Sequence, residues 1–345
     1  MHAWPKAAVI LAVETSCDET AAAVVRAGRE TLGAVISTQI DLHALYGGVV
    51  PEIASRRHVE TLDGVVDGAL EAAGMRLSDV DALAVTAGPG LVGALLCGVS
   101  WAKAAAYALG KPLIAVHHIA GHIAANYLDT DIRPPFVCLV VSGGHTHLVR
   151  VAPGGVFTVL GHTRDDAAGE ALDKAARALG LPYPGGPNLE KLARDGDPHA
   201  YALPRARLPG CEFSFSGLKT ALLQLMQKNP DASRADLAAS FQHAVVGALA
   251  DKAIEAAVAS GDGKLLLCGG VAANTVLRET LAQRAAQAGL FFAVPALHRC
   301  TDNAEMIAAE AYFAAMGGCF APQDLNAMPS WKLEDARAFA CGMCG

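Results

Sequence analysis

Two histidines in the first half of the chain have the spacing of metal ligands. His118 and His122 are four residues apart, so on a helix their side chains lie one above the other on the same face. Both imidazoles can then direct a ring nitrogen at one point, which is how helices commonly present a transition metal. The alternative is a pair of half-buried polar residues on an otherwise apolar helix. The pair alone leaves both interpretations open.

The residue that follows His118 argues against one class of metalloenzyme. A zinc peptidase helix has the pattern His-Glu-x-x-His, in which the glutamate is the general base next to the metal. Here that position is Ile119, and no acidic residue lies between the two histidines. The sequence therefore disfavours a metalloprotease, although it is compatible with a bound metal ion.

The composition limits the fold class. A chain of 345 residues is long enough for two domains, and 52% hydrophobic residues with only 6% aromatic ones suit helices packed closely on sheets. The longest segment without charges, from Ala82 to Ala102, is interrupted by Gly88-Pro89-Gly90. Because glycine and proline break it, this segment cannot form one membrane-spanning helix, and we expect no membrane span.

The net charge of −7 limits the partners. A protein that binds nucleic acid unaided normally carries a basic face, so a role on RNA would need a local basic patch or a partner. The nine cysteines are scattered and odd in number, which favours a reducing cytoplasm over a disulfide framework. We interpret the CxxC pair Cys341 and Cys344 as a loose end of a glycine-rich tail rather than a zinc or redox site.

A strand, a polar turn and a second strand occur twice in the sequence. The first copy is Ala7 to Val13, Glu14 to Thr20 and Ala21 to Val25, and the second is Phe136 to Val141, Ser142 to Thr146 and His147 to Val151. Such turns present backbone N–H groups and hydroxyls to a phosphate-like anion, although either one alone is an ordinary hairpin turn. Two copies about a domain apart indicate an internal duplication.

Two segments further along could also contact a ligand. Lys264 to Cys268 predicts a strand, Gly269-Gly270 a turn and Asn274 to Ala288 a helix. This arrangement either places unpaired N–H groups at the ligand-binding end of a sheet or forms a simple connecting turn. Before the last helix, Asp302 and Glu305 fit a capping box, or Asp302 leaves a carboxylate free to face a ligand.

Ten motifs together carry a family resemblance. They are Val13 to Thr20, Gly47 to Glu52, Thr86 to Leu91, His117 to His122, Val140 to Thr146, Asp165 to Asp173, Pro184 to Pro187, Phe213 to Lys219, Gly269 to Asn274 and Cys300 to Asn303. In this order they resemble the bacterial form of the TsaD/Gcp/Kae family, the tRNA adenosine threonylcarbamoyltransferases, over residues 7–332. Met328-Pro329-Ser330-Trp331 replaces the more basic Arg-Pro-Arg-Trp expected there, which weakens any tRNA contact by this tail.

The resemblance implies the fold and its division into domains. It implies a duplicated α/β fold of the actin/hexokinase/Hsp70-like (ASKHA) type, with two lobes around a central nucleotide and metal cleft. We expect an N-terminal lobe of residues 1–133, which ends at the stiff Arg133-Pro134-Pro135 segment. A C-terminal lobe of residues 134–318 follows, and a tail of residues 319–345 partly packs back on the first lobe.

The resemblance also implies the reaction and its site. The threonylcarbamoyl group of threonylcarbamoyl-adenylate is transferred to N6 of adenosine 37 in tRNAs that read codons beginning with A. One divalent metal ion per subunit, Fe²⁺ in preference to Zn²⁺, is bound by the residues matching His118, His122 and Asp302. The matching substrate-binding residues are Val140, Val141, Ser142, Gly143, Gly144, Asp173, Gly186 and Asn274. The implied partners are tRNA, the adenylate, a TsaB-like paralogue and a TsaE-like ATPase, all in the cytoplasm.

These residue types suit the chemistry of this acyl transfer. Adenine N6 is a poor nucleophile because its lone pair is delocalised into the ring, so the carbonyl must be polarised and the leaving AMP stabilised. A metal ion with open positions can act as a Lewis acid or orient the threonyl group. Backbone N–H groups of Ser142 to Gly144 can receive the phosphate charge, and Asp173 can bind the ribose hydroxyls. No residue stands out as the base that accepts the N6 proton.

Two other functions stay open beside the acyltransferase. The first is a metalloendopeptidase, an older label of this family, which Ile119 in place of a glutamate disfavours. The second is an ASKHA sugar kinase or ATPase without tRNA chemistry. A kinase needs Mg²⁺ and carboxylates, so the histidine pair would have no role in it.

Overall fold

The computed structural model describes residues 4–206 and 208–337. The described strands are β1 (Val9–Glu14), β2 (Glu19–Arg26), β3 (Glu30–Thr38), β4 (Ala82–Gly88), β5 (Leu113–His117), β6 (Phe136–Val141), β7 (Thr146–Ala152), β8 (Val156–His162), β9 (Lys264–Cys268) and β10 (Phe291–Ala293). The described α-helices are α1 (Ile40–Ala44), α2 (Pro51–Ala73), α3 (Val92–Leu109), α4 (His118–Ala124), α5 (Ala168–Ala178), α6 (Gly185–Ala193), α7 (Ser216–Lys228), α8 (Arg234–Ser260), α9 (Thr275–Gln287) and α10 (Ala304–Met316). Cys341 and Cys344 lie outside the described residues.

The chain forms two compact units that are not continuous in sequence. The described residues of the first unit fall within Met1–Pro134, Ala152–Phe157 and Pro295–Gly345, and those of the second within Pro135–Val151 and Thr158–Val294. This division differs from the expected lobes at residues 295–318, which belong to the first unit. The reason is α10, whose small apolar residues such as Ala308 and Ala311 are fully buried in contacts with β1, β2 and α4.

Each unit is built on a five-stranded mixed sheet, and the two sheets have the same topology. The first sheet has the order β3-β2-β1-β4-β5 and the second, read from the other edge, has the order β8-β7-β6-β9-β10. The first strand of each set is antiparallel to the second and parallel to the fourth. The repeated hairpin of the sequence is therefore part of a complete structural duplication.

The central strands appear in the sequence as hydrophobic runs rather than as alternating patterns. All seven residues of β4 and all six residues of β6 are buried. Strands that are covered on both faces by other elements read as continuous apolar segments. In the first unit the core includes Leu11, Val85 and Leu325.

Several helices begin at other residues than the sequence pattern predicted. Apolar residues at helical spacing predict a helix from Val59 to Gly74; in the structure this helix begins at Pro51, where proline is well tolerated at the first helical position. The acidic residues from Asp165 onward predict a helix that starts at Asp165. That helix instead begins at Ala168, because Asp165 accepts hydrogen bonds from the backbone N–H groups of Phe215 and Ser216. That interaction also fixes the start of α7 at Ser216.

The described part of the tail packs on the first unit. The N–H of Ala321 donates to the carbonyl of Leu113 at 2.8 Å, and the N–H of Met328 donates to the carbonyl of Ala87 at 2.7 Å. Gly88 permits this close approach, since it has φ of 159° and a Cβ there would lie 1.9 Å from the carbonyl oxygen of Met328. A side chain at position 88 would displace the tail.

Among the described helices, α3 is long and apolar enough to cross a bilayer. One such helix is weak evidence for a membrane span, because helices in a protein core can have the same length and apolar composition. The inner face of α3, including Val99, Ala102 and Ala106, packs in the core of the first unit. The break at Gly88 to Gly90 separates this helix from β4, as the sequence predicted.

Candidate functional site

The first unit brings together the three residues that the sequence suggested as metal ligands. Helix α4 begins at His118, directly after β5, so His118 and His122 lie one turn apart with ring centroids separated by 4.6 Å. One carboxylate oxygen of Asp302, Oδ1, lies 3.1 Å from Nε2 of His122 and 3.5 Å from Nε2 of His118. The candidate ligand atoms all lie within 4.8 Å of one another. Atoms bound to one ion at about 2.0–2.2 Å have comparable separations.

The packing of α4 against α10 explains this convergence. A Cβ at Gly121 would lie 2.6 Å from Cδ1 of Ile307, so glycine between the two histidines allows the helices to approach closely. The N-terminus of α10 is capped by Asn303, whose side chain accepts from the N–H of Met306. The predicted capping box with Asp302 is therefore wrong. Asp302 lies just before the cap, and its carboxylate faces the histidines instead.

The surroundings of His122 suit a bound cation. Both of its ring nitrogens are buried and make no hydrogen bond with the described residues, although Nε2 is close to Asp302. Leaving a buried polar group unpaired costs about 1–3 kcal/mol. An ion shared by His122, His118 and Asp302 would remove that cost for Nε2. Two imidazole nitrogens and one carboxylate oxygen form a donor set that suits Fe²⁺ or Zn²⁺.

Glu14 is a site residue that the sequence analysis did not single out. It ends β1, is fully buried, and its Oε2 lies 3.1 Å from Nδ1 of His118. The hydroxyl of Thr86 donates to the same oxygen at 2.6 Å, and the N–H of Ser16 donates to Oε1 at 2.5 Å. A carboxylate in this position orients an imidazole and keeps its other nitrogen directed at a metal. Its sequence signals were an acidic residue at the end of an apolar strand and its place in the motif Val13 to Thr20.

The charges of this cluster are strongly coupled. Burial would lower the pKa of His118, but the carboxylates of Asp302 and Glu14 raise it to about 9. Burial would raise the pKa of Glu14, but the charge and the hydrogen bond of His118 lower it overall. Since a metal ligand must be deprotonated, a metal ion at this site would replace the proton of His118.

In the second unit, the turn after β6 offers fewer N–H groups than the sequence suggested. Val140 and Val141 are fully buried in β6. The N–H of Ser142 donates to the carbonyl of His145 at 2.8 Å, so it is not available to a phosphate. Gly143 and Gly144 are exposed, and a Cβ on either would meet nothing within 4 Å. Among the described residues, their N–H groups have no hydrogen-bond partner.

Asp173 and Gly186 lie together in the second unit. Oδ1 of Asp173, on α5, accepts from the N–H of Gly186 at 2.8 Å, at the start of α6. Burial raises the pKa of Asp173, and hydrogen bonds from the N–H groups of Gly186 and Gly185 only partly oppose this. The carboxylate of Asp173 therefore holds the glycine turn at the start of α6.

Asn274 has a structural role in the second unit. Its side-chain oxygen accepts from the N–H of Leu277 at 2.9 Å and caps α9, while its amide donates to Gln242 at 3.0 Å. The predicted contact of this side chain with substrate therefore competes with interactions that are already made. The turn before α9 approaches the end of β6 closely, since a Cβ at Gly269 would lie 2.4 Å from the carbonyl oxygen of Val141.

Comparison with known proteins identifies relatives along almost the whole chain. The family model for TsaD, tRNA N6-adenosine threonylcarbamoyltransferase, matches residues 30–309. The chain is 52% identical over 334 residues to the tRNA N6-adenosine threonylcarbamoyltransferase of Clostridium perfringens, which covers 95% of this chain and 98% of the relative. It is 53% identical to the protein of the same name from Clostridium kluyveri, with 94% and 98% covered.

Solved structures of more distant proteins share the fold. HypF of T. kodakarensis superposes with a TM-score of 0.64 at 16% identity, covering 91% of this chain and 48% of HypF. Component A of the Acidaminococcus fermentans (R)-2-hydroxyglutaryl-CoA dehydratase gives a TM-score of 0.52 at 14% identity, covering 89% and 98%. With the duplicated sheets, these neighbours confirm the predicted ASKHA-type α/β fold. The sequence relatives establish the family: the chain belongs to the TsaD family of tRNA N6-adenosine threonylcarbamoyltransferases.

Proposed function

We propose that the protein transfers the threonylcarbamoyl group of threonylcarbamoyl-adenylate to N6 of adenosine 37 in tRNAs that read codons beginning with A. The observation that carries the proposal is the 52% identity to a protein of this name over 95% of the chain. The cluster of His118, His122 and Asp302 supports it, because an ion bound there could polarise the carbonyl group that adenine N6 attacks.

We propose that the cluster binds one divalent ion per subunit, Fe²⁺ in preference to Zn²⁺. The buried Nε2 of His122, which has no hydrogen-bond donor or acceptor among the described residues, and the nearby Oδ1 of Asp302 support this assignment. When bound, the ion would supply Lewis acidity toward the carbonyl or orient the threonyl group. Glu14 holds His118 in the orientation in which Nε2 faces Asp302.

The second unit supplies the groups that suit the adenylate. We propose that the open N–H groups of Gly143 and Gly144 receive the phosphate charge, and that the carboxylate of Asp173 binds the ribose. Val140, Val141 and Ser142 form the strand end that carries this turn, and Gly186 fixes Asp173. We retain Asn274 as a residue that shapes the site by capping α9, rather than as a direct ligand of the substrate.

The transfer forms one bond, breaks one bond and releases one proton from N6. The N6–carbon bond forms, the bond between the carbonyl carbon and the phosphate oxygen breaks, and AMP leaves with the electron pair. The proton of N6 must pass to a base, and that role stays open.

We propose that tRNA is the acceptor, that a TsaB-like paralogue and a TsaE-like ATPase are partners, and that the reaction takes place in the cytoplasm. The net charge of −7 supports a need for partners in holding tRNA.

The metalloendopeptidase alternative lacks a suitable base. Ile119 follows His118 where a peptidase would have a glutamate. Glu14, the other carboxylate in contact with His118, is fully buried and already accepts from Ser16 and Thr86. A carboxylate so engaged is poorly placed to activate a water molecule.

The reaction itself is the direct test. The purified chain and its two partners are mixed with threonylcarbamoyl-adenylate and unmodified tRNA, and the nucleosides are analysed by mass spectrometry. We expect threonylcarbamoyladenosine at position 37, and its loss in His118→Ala. Absence of the modified nucleoside with a folded, metal-loaded protein and active partners would contradict the proposal.

A further inference from the structure

The chain is acidic overall, yet one cavity of the first unit is lined by cationic side chains. Its volume is about 740 Å³, and its wall includes Lys6, Arg29, Arg133 and Arg337. We call it the basic cavity. No carboxylate is among the described residues that line it. Pockets for small ligands have about 300–1,000 Å³, so a nucleotide-sized molecule fits, and the charge of the wall selects an anion.

Carboxylates behind the wall compensate only part of this charge. Arg337 forms an ion pair with Glu310 at 2.7 Å, and Asp131 interacts electrostatically with Arg29. Lys6 is exposed and makes no ion pair with any described residue. Burial and then the like charge of Arg133 lower the pKa of Arg29. An anion in the cavity would relieve this repulsion.

Aromatic rings form the other part of the wall. Phe313 is the half-buried ring of this wall, and the guanidinium of Arg29 lies 5.3 Å from its centroid. Tyr127 and Tyr312 are buried and pack edge to face against Phe313. The N–H groups of Arg29 donate to the carbonyls of Tyr127 at 3.0 Å and Ile132 at 3.2 Å, which fixes its flat cation as part of the wall. Aromatic rings and arginine planes are the surfaces on which nucleobases stack.

A glycine keeps the cavity open. Gly155 has φ of 77°, and a Cβ there would lie 2.5 Å from Cζ of Arg337. Any other residue would push Arg337 away from its pair with Glu310. The basic cavity therefore depends on a specific backbone conformation as well as on its charges.

We propose that the basic cavity binds a nucleotide, with its phosphate at Lys6 and Arg133 and its base against the half-buried ring of Phe313. The same chemistry is presented by a free mononucleotide and by a nucleotide unit of RNA. On a chain with a net charge of −7, the cavity is the kind of local basic patch that RNA contact would need. The residues of the basic cavity belong to the first unit, whereas the adenylate residues proposed above all belong to the second unit.

Photocrosslinking locates the site directly. The full chain is irradiated with 8-azidoadenosine 5′-monophosphate, and the labelled peptides are mapped by mass spectrometry. We expect label on peptides that contain Tyr127, Tyr312 or Phe313. The double variant Lys6→Glu/Arg133→Glu should lower this labelling about tenfold or more, because charge-assisted contacts to the phosphate are lost. Lys6→Glu alone should lower it by a smaller factor.

A matched control uses a lysine of another cavity. Lys111 lines a separate cavity of about 860 Å³ in the same unit, and Lys111→Glu should leave the labelling unchanged. Circular dichroism checks that each variant is folded. Label that is confined to peptides of the second unit, or that is insensitive to Lys6→Glu and to the double variant, would overturn the proposal.

Competition distinguishes the two sources of the nucleotide. Labelling is repeated with excess unlabelled AMP, inorganic phosphate and an anticodon stem-loop RNA. Displacement at lower concentrations of RNA than of AMP identifies RNA as the occupant, and the reverse order identifies a free nucleotide. Inorganic phosphate as potent as AMP would contradict a role for the aromatic wall. The crosslinking experiment measures nucleotide binding, so its result is independent of the tRNA modification assay. That assay can be run separately on the same preparation.

Discussion

The two units use one topology to build two different kinds of site. After β1, the first unit has a turn whose side chains are buried, and Glu14 and Ser16 contact His118 there. After β6, the equivalent strand of the second unit, the turn has the exposed glycines Gly143 and Gly144. The first unit therefore presents side-chain ligands, whereas the second presents backbone N–H groups.

The difference shows how a duplicated scaffold can serve a cation and an anion. A metal ligand needs a fixed orientation, and the buried carboxylate of Glu14 supplies it for His118. A phosphate needs several N–H groups in an open loop, which glycines provide without side chains in the way. The corresponding strand ends in Glu14 in one unit and in Val141 in the other, and this position is one of the differences between the two turns.

Removal of a metal ligand should have the largest effect. We expect His122→Ala and Asp302→Ala to lose the bound metal and to lower the rate of tRNA modification by about 100-fold or more, since two ligands of this set cannot hold the ion. Metal content by mass spectrometry and the modification assay measure both effects. His199→Ala, at an exposed position of the second unit, should retain metal and activity. Full metal content in both ligand variants would refute the assignment.

Removal of the carboxylate behind His118 should have a smaller effect. Glu14→Gln keeps the shape of the side chain but removes its charge, so we expect metal affinity to fall about 10–100-fold while excess metal restores activity. The control is Glu60→Gln, the same change of residue type at an exposed position, which removes an ion pair with Arg57. Metal titrations of the two variants give the comparison. Equal affinities would show that Glu14 does not position the metal ligand.

Two glycines of the second unit should differ in their effect on stability. Gly269 has φ of 93° and lies against the carbonyl of Val141, so Gly269→Ala should lower the free energy of unfolding by about 1–3 kcal/mol. Gly144 has open space around it, and Gly144→Ala should change stability by less than about 0.5 kcal/mol. Urea denaturation measures both. A larger effect at Gly144 would mean that this turn is structural rather than open for a ligand.

Part of the site could be predicted from local sequence patterns. The spacing of His118 and His122 predicted two imidazoles on one face of a helix, and α4 places them one turn apart, with their rings edge to face. Local signals failed where a distant partner decides the conformation. Asp165 was predicted to start a helix, but it binds the N–H of Phe215, 50 residues away. Asp302 was interpreted as a possible cap, but Asn303 takes that role.

The sequence by itself determined the duplicated hairpins, the apolar central strands, the histidine pair and the family. These features depend on periodicity and on short motifs, which are properties of neighbouring residues. Only the tertiary structure decided that Glu14 lies behind His118, that Asn303 rather than Asp302 caps the last helix and that Asn274 holds its own helix. Each of these contacts joins side chains whose orientations are set by packing, and a buried carboxylate finds its partner only when the chain has folded.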